Sequence, residues 1–223
     1  MICAGAITLR MEGKKLIIFD KDGTLMDASS GTRKAVITMA ERMGKRVPSE
    51  EEMYRSFCGS FGHNIKWLLD LTDDEQIPAV LEYVKVYGEQ EGYYDFREYP
   101  GMSDVIAELS GRYMLSVATM MYTDFALKSL QAMDVDGCFL TIRGVALDHW
   151  VSKTDLIREC MEFAECTPEE TVMVGDSRYD MESASECGVD FVAVTYGYGL
   201  TEQECQSEGI PFARTPQELL RIL

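Results

Sequence analysis

An apolar run, Leu16-Ile17-Ile18-Phe19, is followed directly by the acidic turn Asp20-Lys21-Asp22-Gly23-Thr24. Four consecutive apolar residues indicate a strand buried on both faces, which is typical of parallel sheets. Ligands of open α/β sheets bind at the carboxyl ends of the strands. The turn therefore places two carboxylates, Asp20 and Asp22, where a ligand site is expected. A solvated acidic turn after an ordinary strand would give the same pattern, so partners elsewhere in the chain must decide.

Further apolar segments alternate with amphipathic ones along the chain. They predict buried strands at residues 114–118, 139–142, 171–174 and 191–194. Helical patterns lie between them, at residues 124–133, 153–164 and 179–187. Strands that alternate with helices predict βαβ units. The predicted fold is therefore α/β, with a Rossmann-like, mostly parallel sheet flanked by helices.

Residues 28–98 interrupt this alternation and are too long for a loop without structure of its own. Ser49 with Glu52, and Thr72 with Glu75, have the form of helix capping boxes. A set of apolar residues has helical spacing, and we interpret it as a helix face that packs within the segment. This apolar stripe comprises Ile77, Val80, Leu81, Val84 and Tyr87. We therefore predict a helical cap domain at 28–98, inserted after the first strand into a catalytic core of residues 1–27 and 99–223. Residues 27–31 and 99–101 are expected to form the two-stranded linker.

Composition excludes several classes of function. The formal net charge is −17, from 38 acidic and 21 basic residues, and such a surface repels nucleic acid. Seven scattered cysteines without a CxxC pair indicate reduced thiols in a cytoplasmic protein. No stretch has membrane-span length, and the first nine residues are too short for a signal peptide. Met11 is a second candidate start, which would make residues 1–10 a disordered leader.

A second strand end repeats the acidic theme. Val174-Gly175-Asp176 is followed four residues later by Asp180. Mg²⁺ prefers oxygen ligands, typically one or two protein carboxylates. Asp20 and Asp176 would supply these ligands if the two strands are neighbours. Clustered carboxylates without a cation repel one another and raise their own pKa values, so the cluster implies a bound metal. Asp180 could face Asp176 from the first turn of a helix, where an acid is also favourable for purely structural reasons.

Two further polar residues could bind a phosphate. Thr119 follows the strand predicted at 114–118, and its hydroxyl and the amide of Met120 could hold phosphate oxygens. Lys153 begins a predicted helix and would bring a positive charge. Taken alone, Thr119 could be a helix-capping threonine and Lys153 a solvated lysine. Their order between the two acidic motifs favours a site.

That ordered set of motifs resembles the haloacid dehalogenase-like hydrolase superfamily, and specifically its phosphoglycolate phosphatase-like branch. The matching segments are Phe19 to Leu25, Tyr99-Pro100-Gly101, Ala118-Thr119, Ser152-Lys153, Gly175-Asp176 with Asp180, Val194 to Gly199, and Thr215 to Leu220. One departure follows Thr119, where many relatives carry a small polar residue and this chain has Met120, which can offer only its amide.

The resemblance implies a phosphoric monoester hydrolase that forms an aspartyl-phosphate. Asp20 is then the nucleophile, and with a usual pKa of about 4 it would be ionised at neutral pH. Asp22 would protonate the leaving alkoxide and then activate water. The cofactor is Mg²⁺, held by Asp20, Asp176 and the backbone carbonyl of Asp22. Asp180 is placed beside these ligands.

In the same scheme Thr119, Met120 and Lys153 bind the phosphate of a small, phosphoglycolate-like metabolite. The protein would act as a monomer or homodimer, without nucleic-acid or membrane partners. A phosphosugar mutase of the β-phosphoglucomutase type is an alternative, because the same core can return the phosphoryl group to a sugar. A catalytically silent binding module is another. A dehalogenase is disfavoured, because it would not need Asp22.

Specificity is expected to come from the predicted cap. Gly59-Ser60-Phe61-Gly62-His63 is the best candidate for a specificity loop, although a simple turn between helices explains its glycines equally well. Arg55 and Lys66 could meet a second anionic group of the substrate. Solvated helix faces are the preferred interpretation for these two residues.

Overall fold

The computed structural model describes residues 12–146 and 151–223. In chain order the strands are β1 (Leu16–Phe19), β2 (Met26–Asp27), β3 (Arg97–Glu98), β4 (Met114–Tyr122), β5 (Thr141–Val145), β6 (Thr171–Gly175), β7 (Asp190–Val194) and β8 (Phe212–Ala213). The helices are α1 (Ser29–Arg42), α2 (Glu50–Ser56), α3 (Phe61–Leu68), α4 (Asp73–Glu89), α5 (Met102–Ser110), α6 (Thr123–Ala132), α7 (Lys153–Ala164), α8 (Arg178–Glu186), α9 (Glu202–Glu208) and α10 (Pro216–Ile222).

The main sheet has the order β5-β4-β1-β6-β7-β8, and every neighbouring pair in it is parallel. The predicted α/β fold is confirmed. Strand β1 pairs with β4 on one side and with β6 on the other. All four of its side chains are buried, as its unbroken apolar run predicts.

The two faces of the sheet have separate hydrophobic cores. Ile17, Phe19 and their neighbours pack against helices α5 and α10, with Ile106 and Leu219 among the contacting residues. Leu16 and Ile18 point to the other face, together with residues of α7 and α8. Alternate residues of one strand therefore serve opposite layers, which fits the two-residue period of a strand.

Helices α1 to α4 stand between β2 and β3, and we call residues 28–98 the insert. Strand β2 pairs antiparallel with β3, so the chain leaves the core and returns to it at one place. The two-stranded linker was predicted at residues 27–31 and 99–101. It lies instead at Met26–Asp27 and Arg97–Glu98, because Ser29 already begins α1. Both predicted capping boxes are present, at Ser49 and at Thr72. The division into core and cap domains stays a prediction.

The packing interpretation of α4 was wrong for part of its apolar stripe. The core of the insert receives Ala79, Tyr83, Val86 and Tyr87 from this helix. Ile77 and Leu81 instead remain 56% and 47% exposed. The buried face is therefore rotated relative to the predicted one.

Three further expectations concern disulfides, membranes and the chain start. The described cysteines, Cys58, Cys138, Cys160, Cys166, Cys187 and Cys205, are all free. No helix in residues 12–146 or 151–223 is long and apolar enough to cross a bilayer. The prediction about a leader at residues 1–10 falls outside the described residues, as does Cys3.

Candidate active site

The three central strands bring the predicted site residues to one edge of the sheet. Asp20 follows β1, Thr119 lies in β4 and Asp176 follows β6, and β1 is hydrogen-bonded to both other strands. Lys153 begins α7, and Asp180 lies in the first turn of α8. One cavity is lined by all seven predicted residues, namely Asp20, Asp22, Thr119, Met120, Lys153, Asp176 and Asp180.

Lys153 occupies the centre of this cluster. Its side chain is only 2% exposed, and its Nζ forms ion pairs with Asp20 Oδ1 and, at 2.8 Å, with Asp180 Oδ1. Burial would lower the pKa of Lys153, but Asp180 and Asp20 outweigh it and raise the pKa above its ordinary value. Ser152 Oγ accepts a hydrogen bond from the Asp155 amide and so caps α7, which fixes Lys153 as the first residue of the helix. The lysine is thus buried and charged rather than solvated.

Three buried carboxylates surround this single lysine. Asp20, Asp176 and Asp180 each present an oxygen, and these oxygens lie within 4.8 Å of one another. Burial raises the pKa of Asp20 to about 7, with Lys153 opposing the rise and Asp180 adding to it. Burial, Asp180 and Asp20 raise the pKa of Asp176 well above its usual range. Ionising all three therefore requires more positive charge than Lys153 supplies.

This excess of negative charge, presented by hard oxygen atoms, fits a divalent cation such as Mg²⁺. The raised pKa of Asp20 also means that its usual pKa alone does not account for an ionised Asp20 at neutral pH. In this buried cluster, full ionisation of Asp20 needs a compensating cation nearby. The residues present are therefore chemically suited to the predicted metal.

Asp180 serves the local helix and the cluster at once. Its Oδ2 accepts bonds from the Ser177 amide at 3.1 Å and from Ser177 Oγ at 2.6 Å, which completes a capping box on α8. Its Oδ1 faces Lys153. Gly175 permits this close approach, since an added Cβ there would lie 2.6 Å from Asp180 Cβ. The structural and the functional interpretations of this acid are therefore compatible.

Asp22 is oriented by a residue that the sequence analysis did not select. Lys21 is fully buried, and its Nζ forms an ion pair with Asp22 Oδ1. The Asp22 side chain is 25% exposed and does not belong to the cluster of three carboxylates. Its roles as acid and base, and as a carbonyl ligand, stay predictions. The sequence does not show which of its two acidic neighbours Lys21 pairs with, because that depends on the directions of the side chains.

Strand β4 does not end at Ala118 as predicted but continues to Tyr122. Its register against β5 shifts between Ala118 and Tyr122. Thr119 Oγ1 accepts a bond from the Met121 amide at 3.1 Å, within this irregular stretch, so Thr119 does not cap a helix. Strand irregularities are common beside active sites, where they redirect backbone and side chains. Here Thr119 and Met120 lie within the irregular stretch and line the cavity.

A match to a known family adds to this geometry. The family model of the haloacid dehalogenase-like hydrolases matches residues 17–194, which include every predicted site residue. The chain belongs to the haloacid dehalogenase-like hydrolases.

Individual relatives are similar to this hydrolase over most of its length. Tyrosine-protein kinase PtkA of Mycobacterium tuberculosis is 28% identical over 216 residues, which are 95% of this chain and 73% of PtkA. Phosphoglycolate phosphatase of Pseudomonas putida is 28% identical over 192 residues, 82% of this chain and 70% of the relative. The solved haloacid dehalogenase-like hydrolase SP0104 of Streptococcus pneumoniae is 26% identical with a TM-score of 0.84, covering 94% of this chain and 98% of that one. The predicted phosphoric monoester hydrolase and its resemblance to phosphoglycolate phosphatases are confirmed.

Tyr198 of the hydrolase is a second residue without a predicted role. Its amide donates to Asp176 Oδ2 at 2.7 Å, and its hydroxyl donates to Asp27 Oδ1 at 3.0 Å. Its ring packs against Phe57 and Tyr54 of the insert, with centroid distances of 5.3 and 6.2 Å. The residue thus connects the carboxylate cluster to the insert. The only signal in the sequence was the glycine-interleaved stretch after β7.

The cavity of the hydrolase lies between the core and the insert and has a volume of about 200 Å³. Four residues of the predicted specificity loop, from Gly59 to Gly62, line it, whereas His63 does not. Arg55 instead stacks over Trp67 at 5.8 Å, and Lys66 pairs with the exposed Asp73. The preferred interpretation of Arg55 and Lys66, as residues of solvated helix faces, agrees with this placement.

Proposed function

We propose that this hydrolase is a Mg²⁺-dependent phosphatase that cleaves a small phosphomonoester through an aspartyl-phosphate on Asp20. The observation that carries the proposal is the position of Lys153, buried between Asp20 and Asp180 with Asp176 in reach, in the lining of a cavity. This arrangement offers a nucleophile, a fixed cation and a metal-binding set at one place. Family membership and the phosphatase relative support the same activity.

The proposed metal ligands are Asp20, Asp176 and the backbone carbonyl of Asp22. Bound there, Mg²⁺ would offset the repulsion between the carboxylates and an incoming phosphate. The Tyr198 amide holds Asp176 Oδ2, so this carboxylate is oriented before any ligand binds.

In the first step an oxygen of Asp20 bonds to phosphorus while the bond from phosphorus to the leaving oxygen breaks. Lys153 holds Asp20 Oδ1 in place and, with Thr119 and the Met120 amide, stabilises the charge on the phosphate oxygens. Asp22 gives a proton to the leaving alkoxide. It then takes a proton from the water that attacks phosphorus, which frees Asp20 and inorganic phosphate. Such acid–base assistance typically contributes about 10²–10⁴-fold in rate.

In this proposal the insert acts as a cap domain. It contributes one wall of the cavity, and the β2–β3 pair is its connection to the core. Movement of the insert on that connection would admit substrate and then exclude water from the aspartyl-phosphate. A cytoplasmic location, a small phosphorylated metabolite as substrate and a monomeric or homodimeric state belong to the same proposal.

Hydrolysis is favoured over transfer of the phosphoryl group to another acceptor and over a silent binding role. A sugar substrate, as in a mutase, would need several hydrogen-bonding partners around its hydroxyls, and the insert contributes mainly apolar side chains to the cavity. PtkA is a kinase by name, whereas the family match and the phosphatase relative point to transfer of the phosphoryl group to water. A silent binding module would not need the complete set of charged residues.

The proposal is tested by hydrolysis of p-nitrophenyl phosphate with Mg²⁺ and with EDTA. We expect metal-dependent turnover, and a loss of at least about 10³-fold in kcat for Asp20→Asn, because the amide cannot form the aspartyl-phosphate. Asp104→Asn, an exposed change in the first turn of α5, is the matched control and should keep full activity. Full activity of Asp20→Asn, or activity unaffected by EDTA, contradicts the proposal.

A further inference from the structure

Helix α4 presents an apolar face to the cavity. Ile77, Val80, Leu81 and Val84 all line it and follow the spacing of one helical face. Ile77 and Leu81 are nevertheless 56% and 47% exposed. Val80 and Val84 are partly buried against the core of the insert, whereas Ile77 and Leu81 are left largely exposed at the cavity, where they remain available to a ligand.

Other apolar side chains extend the same surface around the cavity. The insert adds Phe57 and Phe61, and the core adds Met121, Tyr122 and Val145. Residues Met121 and Tyr122 belong to the irregular end of β4, directly after Thr119 and Met120. The apolar lining is thus continuous with the predicted phosphate contacts.

Positive charge is scarce in this cavity. Lys153 is the only lysine, arginine or histidine among the lining residues that the structure describes. Its Nζ already lies between Asp20 and Asp180. Arg33, on the same side of the insert, pairs with Glu50 and stacks on Phe57. A carboxylate on the substrate beyond the phosphate would therefore lose hydration without gaining a free counter-charge from the lining within residues 12–146 and 151–223, which is costly.

From this lining we infer that the substrate is a phosphomonoester with an uncharged, apolar leaving group rather than a carboxylate-bearing one such as glycolate. The inference rests on the proposed phosphatase activity and specifies its substrate class. At about 200 Å³ the cavity is below the roughly 300–1,000 Å³ of pockets for drug-sized ligands. The leaving group is accordingly small, of the size of a branched alkyl chain or a single ring.

The test compares two esters of nearly equal shape. Isobutyl phosphate has an isopropyl group where phosphoglycolate has a carboxylate, and both release a primary alkoxide. Each ester is assayed by phosphate release and as a competitor of p-nitrophenyl phosphate hydrolysis, so affinity is measured even where turnover is slow. We expect isobutyl phosphate to exceed phosphoglycolate at least about tenfold in kcat/KM, because the isopropyl group gains apolar contact whereas the carboxylate loses hydration without a counter-charge. A single methylene in an apolar pocket already provides about 10–200-fold.

A charge substitution in the cavity wall then tests the assignment to α4. Leu81→Lys should lower kcat/KM for isobutyl phosphate and raise it for phosphoglycolate, each by about tenfold, because the ammonium group replaces apolar surface by a counter-charge. Leu127→Lys is the matched control, an exposed helical leucine of α6 that does not line the cavity, and should leave the ratio unchanged. Thermal unfolding of both variants confirms that they are folded.

Two results would overturn the inference. One is phosphoglycolate equalling or exceeding isobutyl phosphate in kcat/KM and in competition. The other is an unchanged ratio in folded Leu81→Lys. Both can occur while p-nitrophenyl phosphate hydrolysis still requires Asp20 and Mg²⁺. Failure of the substrate class is therefore distinguishable from failure of the phosphatase proposal.

Discussion

Gly23 combines two physical demands at one position of the acidic turn. Its φ of +86° lies in the left-handed region that side chains disfavour. An added Cβ would also stand 2.7 Å from Asp176 Cγ and 2.8 Å from the Tyr198 ring. Backbone conformation and crowding of the carboxylate cluster therefore both require glycine here.

Gly13 makes it possible to separate these two demands. Its φ is +89°, yet an added Cβ would meet no atom within 4 Å. We expect Gly13→Ala to cost only the backbone strain, about 1–2 kcal/mol in free energy of unfolding, with kcat unchanged. Gly23→Ala should lose a further 1–3 kcal/mol, roughly the cost of overpacking, and at least about tenfold in kcat. The measurements are urea unfolding and p-nitrophenyl phosphate turnover.

Equal behaviour of the two variants would show that strain alone explains Gly23. The sequence identified Gly23 as a turn residue from its neighbours, but not its contact with Asp176. That contact joins residues more than 150 positions apart, and it exists only because β1 and β6 are adjacent.

Helix α2 shows how much a single element can encode locally. Ser49 and Glu52 complete the capping box that the spacing predicted. Arg46 adds two bonds to the Glu52 carboxylate, each of 2.8 Å. Arg46 and the bonds from Ser49 lower the pKa of Glu52 to about 2. Ser49 and Glu52 are only three residues apart, so this capping box could be predicted without knowledge of the fold.

The lowered pKa predicts how pH changes the contribution of Glu52 to stability. A carboxyl whose pKa is lower in the folded state stabilises fully above its unfolded pKa of about 4.3, and this contribution is lost as pH falls toward 2. We expect Glu52→Gln to lower Tm by at most about 2–4 °C at pH 7 and by less at pH 3. Glu51→Gln, in the same helical turn but without the bonds to Arg46 and Ser49, is the control and should lower Tm less than Glu52→Gln at pH 7. A Tm difference that grows toward low pH would contradict this assignment.

Strand β4 marks the limit of prediction from single elements. Its apolar core was predicted, whereas its extension to Tyr122 was not. The extension depends on pairing with β5, whose start was itself displaced to Thr141. Likewise, α4 was predicted as a helix, but its buried face depends on α1 and α3, which periodicity alone does not orient.

Charge is the property that links the site to the molecule as a whole. The net charge of −17 disfavours the compact state through self-repulsion, and the buried carboxylate cluster concentrates that repulsion at one place. A cation bound to the folded state alone would stabilise the whole protein by mass action.

Metal binding is therefore expected to appear in thermal unfolding independently of activity. Mg²⁺ at about 100 times its Kd should add about 2.7 kcal/mol to the free energy of unfolding. Ionic strength is matched with NaCl, because salt also screens the surface charges of so acidic a protein. Asp176→Asn should abolish the Mg²⁺-dependent rise in Tm, and Asp104→Asn should retain it. An equal rise in all three proteins would argue against a specific site at the cluster.

The amino-acid sequence alone was sufficient for the α/β alternation, for most strand and helix positions, and for seven residues that line one cavity. Apolar runs, caps and acidic strand ends are local patterns, and the order of parallel strands brings their carboxyl ends to one edge. Which side chains meet there depended on three-dimensional packing. The pairing of Lys21 with Asp22 depends on the direction of two neighbouring side chains in the folded turn. The link from Tyr198 to the insert and the apolar wall from α4 join surfaces whose relative orientation no local pattern specifies.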